Sequence, residues 1–324
     1  WIVPGGTAGS GVSSSIYLKG VNNVTGALIV PNNISRTINY IGRSNWGADA
    51  YFAGYMPEFI LYNKALTATE QSQVISYVAL KYGFTLGTPG SPIDYKASDG
   101  TTFWTGNATY QYNVMGIGKD NLSGLEQQVS KSMEATADIV TLSTDNNFTN
   151  SNGSHSAVTN DKYFLMIGNN NSAITYSTFT SANANVTACM SRIWKIQETG
   201  TDQGVVYIKT SNADATYILT SPDATFGDGN DTYTALSGGA ASINFSNGQF
   251  FTFGAYLPSP GGVLTNLTVW YKANSVSSAT ADNTAITSWT DNSGNYMTAT
   301  GYNSPTYRTG SSAVGINFNP VMSF

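Results

Sequence analysis

Three carboxylates, Asp223, Asp228 and Asp231, share the stretch Pro-Asp-Ala-Thr-Phe-Gly-Asp-Gly-Asn-Asp231 with an asparagine and two glycines. Carboxylate and amide oxygens are the hard ligands that calcium takes, and calcium is the one cofactor this chain suggests. The spacing is not that of an EF-hand, and glycines at positive φ with Asx turns account for the same residues as a plain turn between strands. A second chemistry is offered by aromatic faces. Trp46 and Trp104, with Tyr51, Tyr110 and Tyr112, lie among polar neighbours, where such rings either stack on glycans or cover a sheet. Asp291 and Asn295 follow Trp289 in a Trp-x-Asp-x-Ser-Gly pattern. That pattern suits a cation or, more simply, a tight turn packed on an indole.

The parts of hydrolytic sites are scarce. A single histidine, His155, sits in Asn-Gly-Ser-His-Ser, where a solvated ring is expected and no nucleophile elbow accompanies it. A single cysteine, Cys189, alternates with apolar residues and is expected to be a small buried hydrophobe. Glycoside hydrolysis needs two carboxylates across a cleft. Glu58 has no evident second acid, and Glu70 is explained by a helix cap. Gly116-x-Gly118 lacks the strand-turn-helix setting of a phosphate loop. Sequons at Asn23, Asn107, Asn185 and Asn266 are what chance yields in a chain rich in Asn, Ser and Thr. No catalytic residues and no enzymatic activity are expected.

Only 10% of the 324 residues are charged, with 14 Lys and Arg against 19 Asp and Glu and a net charge of −5. No basic field exists to neutralise phosphates, which excludes nucleic acid as a partner. No apolar run approaches the roughly 18 residues of a membrane-spanning helix, so no membrane insertion of this segment is expected. Few charges, one cysteine and abundant Tyr, Thr, Asn and Gly point to an extracellular β-protein stabilised by sheets and not by cross-links. The chain opens at Trp1 with no charged n-region, as expected of an internal piece or a processed product.

The elements that must carry these residues are mostly strands. Ile16-Tyr-Leu-Lys-Gly20, Thr37-Ile-Asn-Tyr-Ile41 and Ala53-Gly-Tyr-Met-Pro-Glu-Phe-Ile-Leu-Tyr62 read as extended pieces broken by turns. One helix is predicted over residues 67–82: Thr67 and Glu70 make a capping box, Val74, Tyr77 and Val78 an apolar stripe, and Gly83 a stop. Residues 87–93 and 257–262 are Gly/Pro breakers that read as linkers. Between them, residues 94–256 alternate short aromatic and β-branched runs with turns and predict a central β-sandwich. Residues 263–324 restart a strand-rich segment too short for a sandwich of its own.

Tyr40-Ile-Gly-Arg43, Tyr51-Phe-Ala-Gly-Tyr-Met-Pro-Glu-Phe-Ile-Leu-Tyr-Asn-Lys-Ala-Leu66 and Ser76-Tyr-Val-Ala-Leu-Lys-Tyr-Gly83 resemble the closing half of a laminin-G-like (concanavalin A-like) jelly roll. Val269-Trp-Tyr-Lys-Ala273, Ser288-Trp-Thr-Asp-Asn-Ser-Gly-Asn295 and Ile316-Asn-Phe-Asn-Pro320 resemble its opening half. Asp94-Tyr-Lys-Ala-Ser-Asp-Gly-Thr101, Met115-Gly-Ile-Gly-Lys-Asp120, Gly124-Leu-Glu-Gln-Gln-Val-Ser-Lys-Ser132 and Arg192-Ile-Trp-Lys195 resemble an uncharacterised β-rich domain that accompanies such modules in large secreted surface proteins of Bacteroidota. The resemblance implies an all-β fold of sandwiches in series. Residues 1–86 are then the C-terminal half of one jelly roll, with its short terminal helix, and residues 263–324 the N-terminal part of a second. It further implies a repeat segment of an exported, cell-surface adhesin or fibre delivered by the type IX route, with neighbouring copies or repeats as partners. A carbohydrate-binding module is the alternative. Sheets left incomplete in the flanks, around Tyr17, Tyr40 and Phe59 or around Trp270 and Phe318, are expected to be completed by strands from a neighbouring subunit or from another part of the same long protein.

Overall fold

Period-two alternation along two neighbouring strands builds the centre of the molecule. Strand Tyr112–Asp120 pairs antiparallel with Phe164–Asn169, placing Leu165 beside Ile117 and Ile167 beside Met115 on one face. On the other face Phe164 stands opposite Gly118 and Met166 opposite Gly116. The Gly116-x-Gly118 spacing thus makes room for two large side chains: a Cβ on Gly118 would lie 2.6 Å from the Phe164 ring, and one on Gly116 2.4 Å from Met166 Sδ. Freed in this way, the Phe164 ring stacks on Phe103 at 4.1 Å.

The computed structural model describes residues 7–324 apart from 31, 33, 34, 36, 135–138, 265, 277–279 and 296. It is an all-β fold with one α-helix. The main sheet runs in the order Tyr176–Thr178, Ala188–Met190, Phe250–Ala255, Trp194–Thr199, Phe164–Asn169, Tyr112–Asp120, Leu125–Gln127, with the hairpin Tyr217–Ser221/Thr232–Ala235 also attached through Phe250–Ala255. A second sheet orders Ala240–Ile243, Val206–Thr210, Val140–Ser143 and Val129–Lys131. Leu142 and Ile208 of the second sheet close on Trp194, Ile196, Phe251 and Phe253 of the first, which makes a sandwich core. Trp194 stacks on Phe251 at 5.1 Å.

A second core covers the opposite face of the main sheet. Helix Ala68–Tyr82 begins at the Thr67/Glu70 capping box and ends at Gly83, whose φ of 66° is the left-handed stop that glycine supplies. Its Ala79 and Leu80, with Leu86, Tyr95, Phe103 and Trp104, pack on Val114, Phe164 and Met166. The helix expected to close the first flanking module is therefore built into the central unit. Residues 87–93, expected as a linker, form the hairpin Gly87–Thr88/Ser91–Pro92 and bring Ile93 to the same core. Leu257, in the second expected linker, packs on the sandwich core. Pro and Gly mark surface turns as well as domain joints, and only packing distinguishes them.

The flanks are thinner. Gly11–Leu18 and Val21–Ile29 make a two-stranded hairpin whose tip glycine, Gly20, abuts Ile75 and Ile93. Residues 37–41 and 53–62, expected as strands, form none: among the described residues no strand pairs with them, so their backbone groups join no ladder. In the C-terminal segment the ladders are short, Thr284–Ala285/Thr306–Arg308/Val321–Ser323 and Ser288–Trp289/Ala299–Thr300. Asp291 fixes the turn between them by accepting from the backbone N–H groups of Trp270, Ser293 and Met297, which bears out the tight-turn reading of the Trp-x-Asp-x-Ser-Gly pattern.

Gly116→Ala should cost about 2 kcal/mol or more, because the added methyl meets the Leu165 carbonyl and the Met166 sulfur in a closed core. Gly153→Ala, which meets nothing within 4 Å, should stay within about 0.5 kcal/mol. Urea denaturation of the two variants checks the contrast.

Candidate functional site

A groove of about 660 Å³ lies where the outer face of the second sheet meets the end of the helix. Thr141 pairs with Lys131 on one side and Lys209 on the other, and residues directly opposite in register share a face of the sheet. The groove is lined by Lys131 and Thr141 of the sheet, by Lys81 and Tyr82 at the end of the helix, and by Phe148, Thr149 and Asn150. Lys209 reaches over the Phe148 ring at 5.6 Å. Lys81 is neutralised by Glu58 at 3.0 Å. Among the described residues Lys131 and Lys209 enter no ion pair.

The loop that carries Phe148 is held from beneath by His155. The ring was expected to be solvated, but it is buried. Its Nδ1 lies 2.9 Å from Asp145 Oδ1 and 3.2 Å from Ser143 Oγ, while Nε2 bonds the Asn150 carbonyl at 3.2 Å. The residue types are those of a catalytic triad, yet the geometry is not. Serine and aspartate share one ring nitrogen, the other is taken by backbone, and Ser143 is fully buried, so no hydroxyl faces a substrate with a base behind it. Burial opposes ionisation of Asp145, and the bonds from His155, Ser156 N–H and Asn147 N–H overcome it, holding the carboxyl below its usual range. Cys189 is no nucleophile either: burial pushes its thiol up to about 12. Glu58 receives Lys81, Tyr82 and Tyr77 at 3.0, 2.8 and 3.2 Å. The Lys81 ammonium, with the Tyr82 hydroxyl, holds its carboxyl below the ordinary range. It ties its segment to the helix, and with Asp120 it lines a cavity of about 420 Å³.

The two expected glycan-facing tryptophans part company. Trp104 is 2% exposed and its ring covers Gly168 in the second core, so it cannot stack on a sugar. Its polar neighbours misled because Asn107 bonds the Thr109 and Tyr110 N–H groups and turns the chain outward just after the buried indole. Tyr110 is buried as well, against Phe250 at 5.2 Å. Trp46 is 75% exposed and Tyr51 70%. They flank a recess of about 180 Å³ with Arg43 and Asp49, and the Arg43 guanidinium lies 4.3 Å from the Tyr40 ring and 5.4 Å from that of Tyr51.

The aspartate loop spends its carboxylates on its own backbone. Asp223 accepts from Thr225 N–H at 2.7 Å, Asp228 from Asn230 N–H at 3.1 Å, and Asp231 from Gly227 N–H at 2.6 Å. Among the described residues no three His, Cys, Asp or Glu side chains group as a metal cage, so the calcium expectation rests on one atom. Asp231 Oδ1 is buried with no hydrogen-bond partner. Burial, together with the charges of Asp228 and Asp223, raises the Asp231 carboxyl above its usual range against the Gly227 bond.

One family matches this chain, a domain of unknown function called DUF8202, over residues 70–249. The chain belongs to the DUF8202 family. The matched span starts within the helix, in accord with the packing of that helix on the central sandwich. No curated protein and no solved structure matches the chain. The DUF8202 span contains the groove, the His155 cluster and the aspartate loop, whereas Trp46 and Tyr51 lie before it. Lys131 and Lys209 of the DUF8202 span escaped the sequence reading, since 78 positions separate them and only strand register brings them together.

A carboxyl raised by folding lowers stability at neutral pH, and that penalty disappears below its unfolded value of about 3.9. Asp231→Asn, which keeps the oxygen bonded to Gly227, should therefore raise Tm at pH 7 and leave it unchanged near pH 3. A rise in wild-type Tm with millimolar calcium, lost in the variant, would show instead that the loop holds the ion.

Proposed function

We propose that this chain is a non-enzymatic segment of a large extracellular surface adhesin or fibre, with neighbouring copies or repeats as its partners. The observation that carries the reading is the distribution of exposed apolar side chains. The central unit packs two cores and leaves Leu122, Met133, Val205 and Tyr256 exposed. In the flanks Tyr55, Leu61 and Phe59 stand in water on one side, and Ile316, Phe318 and Tyr302 on the other, Phe318 at 91%. Exposed apolar residues in segments that alternate like strands invite pairing with another chain. Heterologous pairing of two different flanks propagates into a filament. The flanking segments are, on this reading, parts of laminin-G-like jelly rolls completed by β-strands from elsewhere, in a Bacteroidota surface protein exported by the type IX route. Low charge suits such an assembly, because little repulsion opposes close packing.

A carbohydrate-binding role is the second reading, and the Trp46, Tyr51 and Arg43 recess favours it. Two exposed rings and a cation at the surface offer a pyranose both stacking and hydrogen bonding.

Light scattering on the purified chain should show a mass that grows with concentration, and Leu61→Asp with Phe318→Asp should return it to a monomer with unchanged circular dichroism. A wild-type monomer at every concentration would discard the fibre and leave a compact binding module. On a glycan array, Trp46→Ala should weaken any signal about tenfold without unfolding the chain; binding that survives the substitution would remove the recess from the second reading.

A further inference from the structure

We propose that the groove of the central unit lined by Lys131 and Phe148, with Lys209 beside it over the Phe148 ring, binds a carboxylated oligosaccharide, a chain of uronic-acid type. This inference does not depend on self-association of the flanks. It starts from charge. Two lysines flank Thr141 on one face of a sheet, their backbones about 10 Å apart at strand spacing. Like charges so placed repel, and among the described residues no carboxylate compensates either one. In a chain with only 14 basic residues and a net charge of −5, these two ammonium groups are open to an anion from outside.

The rest of the lining narrows the class of that anion. Phe148 and Tyr82 line the groove, and Thr141, Thr149 and Asn150 add hydroxyl and amide groups, a mixture suited to a ligand with C–H faces and many hydroxyls. The volume of about 660 Å³ falls in the range of small-ligand sites, about 300 to 1,000 Å³. A long polyphosphate is disfavoured by the negative charge of the whole molecule, whereas one or two carboxylates require only the two lysines. The Phe148 loop is preorganised: Asn147 Oδ1 accepts from the Thr149 and Asn150 N–H groups, and His155 secures the Asn150 carbonyl. Little ordering entropy is then lost when a ligand meets Phe148.

Calorimetric titration of the intact chain with trigalacturonate, its fully methyl-esterified form and sodium acetate tests the proposal. The acid trisaccharide should bind, weaken about tenfold or more in Lys131→Gln with Lys209→Gln, weaken again in Phe148→Ala, and weaken between about 50 and 500 mM salt. The ester and acetate should bind at least tenfold more weakly. Circular dichroism of each variant reports that the fold is kept. Absence of binding by the acid trisaccharide, equal binding of the ester or of acetate, or indifference to the lysine substitutions would overturn the proposal. So would loss of self-association both in the lysine variant and in Asp223→Asn with Asp228→Asn, which would assign the groove to the acidic loop of a second copy. Self-association that persists in these variants while trigalacturonate fails to bind would sink the saccharide proposal and leave the fibre reading standing.

Discussion

The two cores of this molecule meet at one strand that is buried on both sides. Phe164–Asn169 is buried along its whole length, sends Leu165 and Ile167 into the sandwich and Phe164 and Met166 under the helix. A strand covered on both faces tolerates no polar outward set, which explains why its sequence lacks the alternation of a half-exposed strand. Neighbours had to adapt to it. Gly116 and Gly118 of the adjacent strand, and Gly168 within the strand itself, each stand where a methyl group would strike backbone or ring. Trp104, read as a surface aromatic, is the lid that the second face requires.

Polar groups near this strand are few and fully used. Asp120 is 2% exposed and accepts from Ser98 N–H and Oγ at 2.7 Å, and from Lys162. Burial disfavours its charge, but Lys162 and Ser98 outweigh that and hold the carboxyl below its usual range. The bond network pins the turn at Ser98 to the end of strand Tyr112–Asp120, so the helix-side pieces cannot slide along the sheet. His155 plays the equivalent part on the other side of the sandwich. Chemistry-bearing residue types thus serve mainly as fasteners here, and the exposed features left over, the lysine row and the Trp46 recess, are the ones free to meet a partner.

Local rules were legible in the sequence and long-range ones were not. The helix could be located because its cap, stripe and stop lie within 17 consecutive residues, 67 to 83, and each has a local cause. The all-β class was equally legible from the period of the runs between turns. Trp104 and His155 were misplaced because burial is decided by what packs on a residue from far along the chain. Residues 53–62 show the converse: a strand-like pattern needs a neighbour before it becomes a strand. Residues 87–93 read as a linker for the same reason, since Leu86 and Ile93 find their contacts only once Phe103 and Phe164 are in place.

The position of the doubly covered strand along the chain bears on the order in which the protein can acquire its shape. Helix Ala68–Tyr82 and the pieces around Phe103 are synthesised first, yet the surface they cover arrives only with residues 164–169. The sandwich partners of that strand follow later still, with Trp194–Thr199 and Phe250–Ala255. Pairings this distant in sequence close slowly, because loop entropy is lost before any contact repays it. Chain emerging from a ribosome or a membrane pore would stay unstructured over most of the central unit until its last strand was free, and would then collapse as one cooperative body.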